Sequence, residues 1–145
     1  MPTALLEYPV SRYRADAPAD LAARDARARL SKPALKAFFN IMARWKVRDE
    51  DARALMGGVS NNPFYEMKKH ADHVLEADRL TRISYLVGIY KALHILHADK
   101  LADEWMRLPN ANPIFAGQTP LAYVMRGGLP AMQIVRRLLD ARRAG

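Results

Sequence analysis

The side chains in this chain with most chemistry to offer are four histidines, arranged as two i,i+3 pairs: His70 with His73, and His94 with His97. On a helix that spacing sets two imidazoles on one face, as a transition-metal site requires. Neither pair has a carboxylate at matching spacing. Each pair also falls where a helical pattern is ending, and histidine interacts favourably with the carbonyl dipoles there. Both pairs are therefore read as helix-end residues, and no metal ligand is assigned. Asp103 and Glu104 are adjacent acids. On a helix they point ~100° apart, so they do not converge as an acid/base pair and read as a solvated face. The sequence contains no G-x-S-x-G elbow, no G-x-x-x-x-G-K-[ST] phosphate loop, no G-x-G-x-x-G and no H-E-x-x-H. It contains no cysteine, which removes thiol nucleophiles and thiolate metal sites. These residues predict a protein that is not an enzyme and needs no cofactor.

A binding function fits the charge better. The net charge is +8, which favours polyanions or an acidic partner surface. The excess is uneven: residues 31–75 carry eight basic and five acidic residues, and residues 109–145 carry five and one. The first of these regions reads "VRDEDARALMGGVSNNPFYEMKKH". Asp49, Glu50 and Asp51 suit a helix N-terminus, and Gly57 and Gly58 stop that helix. A cap at Ser60, Asn61 or Asn62 with Pro63 in the first turn then starts another. Two short helices about a glycine turn form a helix-turn-helix, whose second helix would lie in a DNA major groove. The candidate DNA-contacting residues are Ser60, Asn61, Asn62, Tyr65, Lys68 and Lys69. Glu66 would repel phosphate, and no arginine lies between Arg53 and Arg79, so a helix-turn-helix kept for packing or dimerisation is an equal alternative.

The remaining elements must position these residues. The chain has 145 residues and is 50% hydrophobic, enough for one domain with a real core. Residues 1–30 mix Pro2, Pro9 and Pro18 with "DLAARDARARL" and read as a flexible arm that becomes helical on contact. From Ser31, a candidate cap with Pro33 in the first turn, Leu35, Phe38, Phe39, Met42 and Trp45 recur at helical spacing. Leu80, Ile83, Leu86, Val87, Tyr90, Leu93 and Leu96 mark one face of a long helix, and Ile89 and Ile95 widen it, as if neighbours or a second copy wrap it. A shorter helix follows around Asp99 to Met106. No segment alternates convincingly enough for a strand, so the fold class is all-α. No run approaches the ~20 apolar residues that span a bilayer, and the N-terminus has no secretory pattern. A cytoplasmic protein without membrane contact is expected.

"NPIFAGQTPLAYVMRGGLP", Asn112 to Pro130, is punctuated by Pro113, Gly117, Pro120, Gly127, Gly128 and Pro130, yet stays apolar. Thr119 caps a brief helix that Gly127 and Gly128 break, and Leu129 opens a last helix bearing Arg136, Arg137, Arg142 and Arg143. The run Leu101 to Gly145 resembles the C-terminal toxin-binding domain of the Xre/MbcA/ParS antitoxins. Trp105, the Pro109-Asn110 pair, the "NPIFAGQTPLAYV" core and the "GGLPAM" turn carry that resemblance. Upstream, "ARWKVRDEDARALMGGVSNNPFYEMKK" is similar to the helix-turn-helix module of the same family.

The resemblance implies a type II antitoxin that occludes the active site of a RES-domain toxin acting on NAD, dimerises, and represses its own operon. The organisation expected is an arm at 1–30, a helix-turn-helix with a long dimerisation helix at 31–98, and a small helical toxin-binding domain at 99–145. The expected toxin contacts are Asn112, Gln118, Arg126, Arg136, Arg137, Arg142, Arg143 and Gly145. The competing reading is a helix-turn-helix regulator with no toxin partner.

Overall fold

The computed structural model describes residues 20–144. It consists of α1 (Arg24–Arg44), α2 (Asp49–Leu55), α3 (Asn61–Lys69), α4 (Ala77–Leu96), α5 (Asp99–Glu104) and α6 (Pro120–Ala144). Two 3-10 turns, Trp105–Arg107 and Pro113–Phe115, lie between α5 and α6. The described residues include no strand, in agreement with the all-α expectation.

The first helix starts earlier than the sequence pattern indicates. Asp20 folds the entering chain into a turn: its carboxylate accepts from the Ala22 amide (3.0 Å) and its carbonyl from the Ala23 amide (3.1 Å). α1 then begins at Arg24, inside the segment expected as an arm. Ser31 is consequently not a cap. Its hydroxyl, 1% exposed, donates to the Arg27 carbonyl (2.6 Å) and accepts from the Leu75 amide (2.8 Å). Those bonds tie the middle of α1 to the segment entering α4. Pro33 lies inside the helix rather than in its first turn. Its missing amide is tolerated because Leu35, Phe38, Ile41 and Met42 are buried around the next turns. The rest of the expected arm, residues 1–19, lies outside the described residues.

α4 forms the axis of the molecule. It packs most extensively on α6 and α1, and then on α5. Leu80, Ile83, Leu86, Ile89, Ala92 and Leu93 are buried there. The face expected to recruit a second copy is thus largely occupied within the chain, and Ile89 is fully covered. Ile95 remains 63% exposed. A groove of about 540 Å³ between α1 and α4 is also open, lined by Leu30, Ala34, Ala37, Leu80, Ser84 and Val87 among others. α2 touches α6, and α1 touches α3, so α2, α3 and the C-terminal helices share one core. Trp45, Phe64, Phe115 and Met106 all belong to it.

Candidate functional site

The stretch after α5 is set by short side-chain bonds before any helix forms. Asn110 accepts the Asn112 amide on its side-chain oxygen (2.9 Å), and Asn112 in turn accepts the Ile114 amide (3.1 Å), capping the turn at Pro113–Phe115. Ala116 and Gly117 follow in the left-handed region, at φ 49° and 80°. The Gln118 amide closes back on the Phe115 carbonyl (2.9 Å). Thr119 caps α6 as its position predicts, its hydroxyl accepting the Ala122 amide at 3.1 Å. Phe115 anchors the whole turn, edge-on to Trp105 and to Tyr123 with ring centroids 6.0 and 5.3 Å apart. The carbonyl oxygen of Asn112 therefore serves the fold, while Gln118 is half-buried and Arg126 is exposed.

α6 breaks where the two glycines predict. Gly128 adopts φ 62°, ψ −145°, a region essentially restricted to glycine, and the segments on either side form separate helices. Arg82 of α4 sits at this break: a methyl built on Gly128 would lie 3.6 Å from its Nη1. The same side chain, held by Asp78 at 2.8 Å, lies against Gly57 in the turn between α2 and α3. Beyond the break, Val135 and Leu139 are buried against the core.

The structure divides the four C-terminal arginines into two kinds. Arg136 donates from Nε to both carboxylate oxygens of Asp140 (2.9 and 3.2 Å), and Arg143 approaches Asp140 at 3.6 Å. Arg137 and Arg142 are exposed and form no ion pair among the described residues. Gly145 lies outside the described residues. Sequence reasoning overlooked the apolar part of this region: Leu101, Leu108 and Ile114 are each 38–42% exposed, as is Ile134 on α6. "LPNANPIF" does signal an apolar stretch, but only the packed fold distinguishes the buried Phe115 from the exposed Ile114.

Two short helices, α2 and α3, meet about a glycine turn, with Gly57 and Gly58 at φ 96° and 90° and Phe64 and Met67 buried beneath α3. Ser60, Asn61, Asn62, Tyr65, Lys68 and Lys69 all face outward. Ser60 occupies the N-cap position without a side-chain bond to the helix. Lys68 is not free for phosphate, because its Nζ is 2.9 Å from Asp49, which leaves Lys69 as the unpaired cation on that helix among the described residues.

The histidine pairs do not act as pairs. His94 lies over Tyr90 (centroids 4.3 Å apart) and meets two carboxylates from α5, Asp99 at Nδ1 (3.1 Å) and Asp103 at Nε2 (2.9 Å). Asp103, expected on a solvated face, is instead drawn in toward His94 and Arg44. His97 points elsewhere, its Nε2 buried with no partner. His70 and His73 are exposed. Among the described residues, no group of three or more histidine, aspartate or glutamate side chains is placed to hold a metal ion. No helix among them is long and apolar enough to cross a membrane.

Residues 91–145, from the last turns of α4 to the C-terminus, match the family model of the antitoxin Xre/MbcA/ParS C-terminal toxin-binding domain. Over these residues the chain belongs to the Xre/MbcA/ParS antitoxin family. The toxin-binding domain so defined contains the His94 clamp, the Trp105–Phe115–Tyr123 stack, the Gly128 break and all four arginines. An antitoxin role in a toxin–antitoxin pair follows from that membership. The chain is also similar to the uncharacterized protein y4oB of Sinorhizobium fredii (strain NBRC 101917 / NGR234), 38% identical over 112 residues, or 77% of this chain and 84% of the relative. No solved structure matches the chain at a significant level.

Proposed function

We propose that this antitoxin neutralises a RES-domain toxin that consumes NAD, by laying its C-terminal domain across the mouth of the toxin's active site. The observation that carries this reading is the prearranged platform from Asn110 to Thr119. Three side-chain caps and an aromatic stack fix it before any partner arrives, so little conformational entropy is lost on docking. The exposed Leu108 and Ile114 supply apolar contact, and Arg137 and Arg142 supply charge for an acidic rim. Removing residues 140–145 tests this reading. The truncated chain is expected to leave the toxin active, and full neutralisation by it would refute the proposal.

The same reading includes operator binding through α3, with Asn61, Asn62 and Tyr65 toward base edges and Lys69 toward phosphate. It also includes a homodimer formed along the open α1–α4 groove rather than through the buried face of α4. A regulator without a toxin would keep the DNA contacts but would not need the exposed Leu108 and Ile114.

A further inference from the structure

Gly88 and Asp140 both meet Arg136, the first by leaving room for its guanidinium and the second by holding it. Gly88 is buried in the middle of α4. A methyl built on it would lie 1.6 Å from Arg136 Nη1 and 2.7 Å from Cζ, so the guanidinium occupies the space a side chain would fill. Asp140, one turn along α6, holds the same guanidinium through Nε. Arg136, Asp140 and Arg143 are spaced i, i+4 and i+7, one stripe of the helix, and Asp140 lies within 3.6 Å of Arg143 as well. By charge alone Asp140 is a liability, the one acid among five basic residues from 109 to 145.

We infer that Gly88 and Asp140 are positioning residues for toxin binding. Gly88 supplies the slot in α4 and Asp140 the clamp. Together they fix the roll and register of the last helix, so that Arg136 and Arg143 are presented in a single arrangement. This inference rests on the reading that the basic end of α6 faces the toxin. It goes further by making one backbone gap and one acid, rather than the sum of positive charge, the determinants of affinity.

Three substitutions separate this account from simple charge attraction, with a RES-domain toxin of the proposed class as the probe. Gly88→Ala expels only the far end of a flexible side chain and removes a helix-interior glycine. Its Tm should therefore hold or rise by up to roughly 4 °C, while the complex weakens about tenfold through loss of an oriented, charge-assisted contact. Asp140→Asn makes the tail more positive. Charge attraction predicts tighter binding, whereas positioning predicts weaker binding, again about tenfold, and Arg136→Lys should show the same loss despite keeping its charge. Wild-type affinity in Gly88→Ala, or a tighter complex with Asp140→Asn, overturns the inference. Removing all four arginines tests the underlying reading separately: undiminished binding by that variant refutes toxin contact at this end, whatever the two positioning variants do.

Discussion

Replacing Gly128 with alanine tests whether the broken helix is a device or an accident. The native backbone at this position, φ 62° and ψ −145°, costs an L-residue about 1–3 kcal/mol. The space itself is open, because the nearest atom to the added methyl, Arg82 Nη1, is 3.6 Å away, so backbone strain is the dominant penalty. The substitution also removes unfolded-state freedom, which offsets about 0.4–1 kcal/mol. A net loss of about 1–2 kcal/mol corresponds to a fall in Tm of roughly 3–8 °C for a chain of this size. The alternative for the mutant is to relieve the strain by continuing the helix through residue 128, which would redirect the segment carrying Arg136 to Arg143. Thermal denaturation by circular dichroism and titration against the toxin distinguish the two outcomes, since relief of strain spares Tm but abolishes binding. An unchanged Tm together with unchanged binding would refute the reasoning.

Other substitutions probe separate parts of the structure. Ser31→Ala leaves the buried Leu75 amide without its acceptor, so it should cost about 1–3 kcal/mol and lower the urea midpoint of unfolding. Phe115→Ala removes the centre of the aromatic stack and should destabilise by about 3–5 kcal/mol, with loss of toxin binding by the residual folded fraction read in a pull-down. Ile114→Asp, at an exposed position, should leave Tm within about 1–2 °C of wild type while weakening the toxin complex at least tenfold. In a mobility-shift assay, Lys69→Ala should reduce operator binding and its salt dependence, whereas Lys68→Ala, whose ammonium already faces Asp49, should have the smaller effect.

Much of this architecture is legible in the sequence because it is local. The acids at 49–51, the glycine stops at 57 and 58, the Thr119 cap and the break at Gly128 are each determined by a few neighbouring residues, and each appears where its pattern indicates. The features hidden from the sequence depend on contacts between distant segments. Ser31 looks like a cap because serine before an apolar run usually is one, but its partner is Leu75, which only the packing of α1 beside α4 brings near. The start of α1 at Arg24 is concealed by an Ala/Arg/Asp run with little periodicity, since one small residue, Ala26, supplies its buried face there. Asp103 looks like a solvated acid until α5 folds back on His94. The arginine tail is plain as composition, but its division into held and exposed members is not: Asp140 lies at a readable spacing, whereas Gly88 gives no sign in the sequence that it faces Arg136.

The measurement that bears most directly on the central claim is cellular NAD in cells expressing a RES-domain toxin proposed as the partner, with and without this antitoxin, combined with co-purification of the two from one lysate. NAD that collapses with the toxin alone and recovers when a stable complex forms is the predicted result. NAD that stays depleted in the presence of the antitoxin, with no complex recovered, would contradict the account.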